Sequence, residues 1–362
     1  MQLKVLANEP EVSARSAICV DAETFGIIFE KNADEKLPMA STTKIITAIT
    51  TLENGRIDDT VTVSANAAST EGSSVWLAEG EELKLGDLLY ALMLESGNDA
   101  AVAIAEHISG SEKAFAALMN ETCKKAGANS TNCVTASGLD DENHYTTARD
   151  LALIARYAMQ NEDFKKIVST QNYKIPWQGK EWDRSLKNHN KLLASYPGAN
   201  GIKTGYTKKS GRCLVSSAEK DGFGAIAVTL SAPNDWDDHK RLLDYAFSEY
   251  KSTKCIFKKG KTLGTIEVAG SREKLPYSAD RDLYLKECRD PLCISVRYNI
   301  KEEIGAPVLK NDIIGSADVY NNGLYITTVN LTASQSAEKN DLSYEYKERY
   351  IFLIKILLEQ MR

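Results

Sequence analysis

The sequence predicts an α+β domain, an antiparallel sheet flanked by helices, followed by a small all-β, sandwich-like domain. Three observations lead there. Short strand-like runs near the N-terminus are separated from later ones by amphipathic helices, so one sheet is assembled from both ends of a domain. At 362 residues the chain is long for a single core. From Cys255 to about Ala337, helical periodicity gives way to short β-branched and aromatic runs between turns. The expected division is residues 8–253, residues 254–340, and a terminal apolar segment, 341–362.

The elements follow in order. "SAICVDAETFGIIFEKNADEKLPMA" reads as two strands, Ala17–Val20 and Phe25–Phe29, joined by a turn over Asp21–Thr24. After Pro38 the pattern turns helical, with Ile45, Ile46, Ala48, Ile49 and Leu52 on one apolar face and Asn54-Gly55 as the stop. "LKLGDLLYALMLESGNDAAVAIAEHISG" is two buried helices broken at Ser96-Gly97-Asn98. "SEKAFAALMNETCKKAG" and "TTARDLALIARYAMQ" are amphipathic helices, the second capped by Thr147. "RCLVSSAEKDGFGAIAVTLSA" is strand-like, and "NDWDDHKRLLDYAFSEYK" is a helix entered through Asn234 or Asp235. In the β-rich part, Asn321-Asn322-Gly323 between two strand-like runs marks a hairpin.

Composition narrows the function classes. A hydrophobic content of 43% and a charged content of 26% are ordinary for a soluble globular protein. A formal charge of −6 argues against a nucleic-acid surface. No stretch reaches the roughly 18 apolar residues of a membrane-spanning helix. The closing "YKERYIFLIKILLEQMR" suits a helix in a membrane interface or a capping helix on its own domain. Peripheral membrane contact is preferred, because nothing after this segment covers its apolar face. At the other end, Val5-Leu6-Ala7 resembles a signal-peptidase site without an apolar run before it. A clipped export signal ending before Asn8 and an ordinary frayed terminus both fit.

Seven cysteines at irregular spacing form no CxxC pair and no zinc-ligand pattern. Cys123 with Cys133, or Cys288 with Cys293, are in range to bridge, although free buried thiols are the plainer reading. No phosphate-cradling glycine loop and no HExxH occurs, so no cofactor and no metal is implied. His107, His144, His189 and His239 show no Ser/His/Asp arrangement; His189 lies near a candidate cleft or is a satisfied structural histidine.

Three short motifs carry chemistry. Ser41 and Lys44 in "MASTTK" share one helix face at i and i+3. Such a pair arises about once by chance in a chain this size, with Ser41 then a mere cap. Lys44 serves as a base only where burial or a neighbouring cation strips its proton. Ser96-Gly97-Asn98 also reads as a helix break with a cap, and Asp99 beside it reads the same way. Lys203-Thr204-Gly205 also reads as a turn entering a strand. All three in this order are far rarer by accident.

This trio is the one used by penicillin-binding proteins and class A β-lactamases. With "LPMASTTKIITA", "LMLESGNDAAVAIAE", "NHNKLL", "NGIKTGYT" and "SGRCLVSSA", residues 15–250 resemble the low-molecular-mass penicillin-binding proteins that are serine-type D-alanyl-D-alanine carboxypeptidases. The region around "GAPVLKNDIIGSADV" resembles that family's C-terminal domain. The resemblance implies a β-lactamase/transpeptidase-like domain and an exported protein on the outer side of the cytoplasmic membrane. The implied partners are peptidoglycan stem peptides ending in D-Ala-D-Ala, with β-lactam antibiotics as inhibitors.

Carried over by position, the resemblance makes Ser41 the nucleophile, Lys44 its base and Ser96 a proton relay toward the departing D-alanine. Asn98 holds the substrate amide and Lys44. Lys203 supplies positive potential to the substrate carboxylate and repels a proton from Lys44; Thr204 hydrogen-bonds that carboxylate. The backbone N–H groups of Ser41 and Tyr206, beside Gly205, form the oxyanion hole. The arginine that several such enzymes carry after the following strand is missing from "TLSAPNDWDD", and Arg212 is the expected substitute. Gly97 stands where β-lactamases carry aspartate, and no Glu-x-x-Leu-Asn segment supplies a water-activating glutamate. Both features favour peptidase over the alternatives, a serine β-lactamase or a silent muropeptide-binding wall protein.

Overall fold

Strand Ser16–Asp21 sits between the early strand Ile27–Lys31 and the late strand Phe223–Leu230, with Ile18 opposite Val228. Gly211–Lys220 and Ala199–Thr207 complete a five-stranded sheet in which every pairing is antiparallel. Both ends of the domain thus meet in one sheet. In this computed structural model the described residues are 9–249, 253–271, 274–286, 292–301, 304–339, and positions 350, 351, 353, 354 and 356. The Val5-Leu6-Ala7 site lies outside them.

The central strands are largely buried because both faces of the sheet are covered. Ile18, Val20, Val215 and Val228 join the large core built by helices Lys44–Asn54, Leu85–Leu94, Asn98–Ser109 and Ala148–Ala158. Ala17, Cys19, Ala225 and Ala227 face the other way, with Leu242, Leu243 and Ala246 of helix Asp235–Glu249. Thr147 caps its helix by accepting from the Asp150 N–H at 3.0 Å. The first expected helix differs at its start. Ala40–Thr43 is a 3₁₀ turn, the α-helix begins at Lys44, and no side chain caps either element.

The chain divides near residue 251 into two compact units. The second contains a five-stranded sheet in the order Thr262–Ile266, Leu275–Ala279, Leu324–Ala333, Ile313–Asn321, Ile294–Ile300. Leu275, Ala317, Val319, Val329 and Leu331 lie in its own core. The hairpin expected at Asn321-Asn322-Gly323 turns through Asn322 and Gly323, both at positive φ (49° and 79°), as a tight two-residue turn requires.

Cys123 and Cys133 are buried free thiols, so the bridged alternative does not apply to them. Cys293 is free, and Cys288 lies outside the described residues. In the terminal segment the described positions are helical, with Tyr350, Ile351, Leu353, Ile354 and Ile356 exposed. Among the described residues no helix is long and apolar enough to cross a membrane.

Candidate active site

The 3₁₀ turn carries Ser41 and hands over directly to the helix headed by Lys44. Lys44 is fully buried. Its Nζ lies 3.1 Å from Ser41 Oγ, 2.7 Å from Asn98 Oδ1 and 2.6 Å from the Ser137 carbonyl oxygen. Asn98 Nδ2 donates to the Glu71 carbonyl at 2.8 Å, which fixes the amide so that its oxygen faces the lysine. A neutral amine has two protons and one lone pair. A deprotonated Lys44 that keeps both carbonyl contacts would turn its lone pair to the Ser41 hydroxyl.

The electrostatics agree. Burial, then the Lys203 cation, hold Lys44 well below the usual ammonium range, against a smaller pull from Asp99. Lys203 is also buried, and burial lowers it to about 7 while Glu95 draws it partly back. Dry surroundings and the Lys203 cation both favour the neutral amine at Lys44.

Strand Ala199–Thr207 delivers Lys203, Thr204, Gly205 and Tyr206 to the same place. A Cβ on Gly205 would sit 3.0 Å from both the Ser41 and Thr42 amide nitrogens. Only a glycine lets this strand lie against the turn that bears the nucleophile. On the far side Gly138, at φ +84°, packs so closely that a Cβ would meet the Ala40 carbonyl oxygen at 2.1 Å. The backbone is strained where chemistry is expected: Ala40 and Ser96 both have positive φ (47° and 61°).

Ser41, Ser96, Thr204, Gly205, Tyr206 and Arg212 line one cleft of about 330 Å³. Lys44, Asn98 and Lys203 lie buried. Arg212 faces Tyr206 across the strand pair, its side chain 54% exposed and 3.8 Å from Asp235 Oδ2. It reaches the cleft rim as a partly paired cation.

His189 lies at the cleft, as one of its two sequence readings had it, and other residues gain a place there that sequence did not signal. His189 lines the cleft and pairs with Glu95 Oε2 at 3.1 Å. Lys191, Asp235 and Trp236 line it too. Asp99, read from sequence as a bland cap, is buried and accepts from the Ser74 hydroxyl and the N–H groups of Val75 and Leu77. It ties the Ser73–Leu77 loop to the helix that begins at Asn98.

His144 is a satisfied buried histidine with a further consequence. Its Nδ1 accepts from the Val134 N–H at 3.0 Å, so Nε2 donates to Thr43 Oγ1 at 2.8 Å. Thr43 then donates to the Ala40 carbonyl at 2.7 Å, bracing the strained residue before Ser41. His239 is structural, held by Ser216 and Thr229 under the sheet.

A buried lysine amine beside a cleft serine, with a second buried lysine on a strand edge, fits a serine acyl-transfer enzyme. The D-alanyl-D-alanine carboxypeptidase family model matches residues 4–234, and the model for the C-terminal domain of penicillin-binding protein 5 matches residues 252–339. The chain belongs to this low-molecular-mass penicillin-binding protein family and is a serine-type D-Ala-D-Ala carboxypeptidase. It is 33% identical over 339 residues to the Bacillus subtilis D-alanyl-D-alanine carboxypeptidase DacF, covering 90% of this chain and 86% of that one. Identity to the Escherichia coli carboxypeptidase DacC is 30% over 350 residues, 91% of this chain and 86% of the relative. The crystal structure of penicillin-binding protein 5 from Haemophilus influenzae superposes with a TM-score of 0.67 at 26% identity, covering 92% of this chain and 99% of that one.

Proposed function

We propose that this enzyme removes the terminal D-alanine from peptidoglycan stem pentapeptides through an acyl-enzyme on Ser41. The observation that carries this reading is the buried Lys44 amine 3.1 Å from Ser41 Oγ. Lys44 takes the hydroxyl proton as Oγ attacks the penultimate carbonyl. The oxyanion is received by the Ser41 and Tyr206 N–H groups, each donor worth about 3 kcal/mol in comparable sites. Ser96 passes a proton to the departing amine. Thr204, Lys203 and Arg212 hold the terminal carboxylate, which raises the Lys203 pKa once bound. Water then cleaves the ester and returns Ser41.

A β-lactam enters by the same attack and remains as a slowly hydrolysed adduct. The family acts on the cell wall, so the protein works outside the cytoplasm, with the terminal segment as a membrane contact.

Intact-mass measurement after benzylpenicillin treatment, with the adduct mapped by digestion, tests the assignment. One adduct on the peptide containing Ser41, absent in Ser41→Ala, is expected. Hydrolysis of diacetyl-Lys-D-Ala-D-Ala with slow penicillin turnover separates peptidase from β-lactamase. A wild type that takes up no penicillin would return the protein to the class of silent wall-binding factors.

A further inference from the structure

Beside the cleft lies an aromatic patch that the peptide reaction does not use. Trp76 is 75% exposed yet sits at φ +63°, a region where a bulky side chain is strained. Its N–H donates to Ser74 Oγ at 2.8 Å, and its carbonyl accepts from Arg184 Nη2 at 3.1 Å. Arg184 is buried, pairs with Glu81 at 3.1 Å and lies 4.7 Å from the centre of the Trp177 ring. Trp182, 62% exposed, stands in the loop joining strands Asn172–Ile175 and Arg184–Lys187. Trp177 and Trp182, with Gln178, Glu181, Asp183 and Glu82, line an open pocket of about 440 Å³.

One loop links the cleft to the patch. Ser73 lines the cleft, and the next residues of its loop are bound by Asp99, the neighbour of Asn98. A peptide seated in the cleft with its N-terminal side along this loop would bring whatever bears it toward the tryptophans. Three carboxylates and a single lysine line the pocket, which disfavours an anionic polymer or an anionic lipid surface. Exposed indoles offer flat faces for apolar C–H surfaces, and the amide and carboxylates offer partners for hydroxyl and acetamido groups.

We propose that Trp76, Trp177 and Trp182 form a subsite for the neutral N-acetylated amino-sugar strand from which the stem peptide hangs. The proposal rests on the peptidoglycan reading for its choice of sugar, and its test is independent of turnover. The probes are an N-acetylglucosamine tetramer, followed by saturation-transfer NMR and tryptophan fluorescence, and one pentapeptide supplied free or attached to its disaccharide. Full-length wild type is compared with Trp182→Ala and with Trp76→Gly, whose glycine suits the left-handed backbone. An unchanged benzylpenicillin acylation rate reports that each variant is folded.

Wild type should bind the tetramer and process the disaccharide-linked peptide about tenfold more efficiently than the free one. Both variants should lose that advantage while cleaving the free peptide normally. Tetramer binding without hydrolysis of either peptide would uphold the sugar subsite and remove the hydrolase reading. No tetramer binding by wild type, or equal binding by the variants, overturns the proposal. So does tryptophan-dependent binding to phosphatidylcholine vesicles in place of the tetramer, which would assign the patch to a membrane.

Discussion

Asn98 Oδ1 lies 2.7 Å from Lys44 Nζ, a neutral acceptor at the spot where a carboxylate would trap the ammonium form. Asn98→Asp keeps the shape and adds the charge. The acid limb of the acylation profile should move up by about one pH unit or more, and acylation at neutral pH should fall at least about tenfold. Stopped-flow acylation by a chromogenic β-lactam across pH measures it. An unmoved acid limb would mean that Lys44 is not the titrating base.

Lys203 titrates near 7, so its cation is present below that pH and lost above it. KM for a carboxylate-terminated peptide should rise as pH passes 7, while KM for the C-terminal amide stays flat. Stability has its own sign. The folded value lies below the ordinary 10.5, so the unfolded chain binds more protons between the two, and stability rises with pH over that window. Lys203→Met should flatten this slope in denaturant titrations and raise the melting temperature at neutral pH, at the cost of activity.

Gly205→Ala places a methyl 3.0 Å from the Ser41 amide nitrogen, with backbone as the obstacle. The strand and the turn must part by a few tenths of an ångström. Acylation should drop by about 10²-fold, with the fold intact by circular dichroism. A wild-type rate would show that the strand-to-turn distance does not set the site.

His144→Ala removes the donor to Thr43 and frees the brace on Ala40. The orphaned buried groups should cost about 1–3 kcal/mol of stability, with acylation slowed as well. His144→Gln, which keeps a donor, should recover part of both. Burial lowers the His144 pKa to about 4, so its stabilising contribution is lost as pH falls from about 6.5 through 4. Acid unfolding of wild type and the glutamine variant, compared side by side, checks this.

Deleting residues 346–362 should release the protein from membrane vesicles without lowering soluble activity. Unchanged partitioning in a flotation assay would instead support the capping-helix reading of that segment.

Much of this was legible in the residues. Period-2 and period-3.6 patterns mark the strands and helices, because burial of one face follows chain geometry directly. Asn322-Gly323 marks its turn because few residues accept two positive φ values in succession. Ser41 with Lys44 and Lys203 with Thr204 are visible as motifs for a similar reason: each lies within a few residues along one element.

What local sequence did not reveal depends on long-range approach. Asp99 looks like a cap until the Ser73–Leu77 loop folds onto it, and His144 looks ordinary until Thr43, 101 residues away, reaches its ring. The first helix starts only at Lys44, after a 3₁₀ turn that packs closely on Gly138 and Gly205, neither of them near in sequence. By itself the sequence determined the list of elements and the chemical groups available, since those depend on neighbours along the chain. Tertiary structure alone decided that the Lys44 amine is buried, pushed toward its neutral form and set beside Ser41. Burial, carbonyl partners from Asn98 and Ser137, and the field of Lys203 come from three separate stretches brought into one dry pocket.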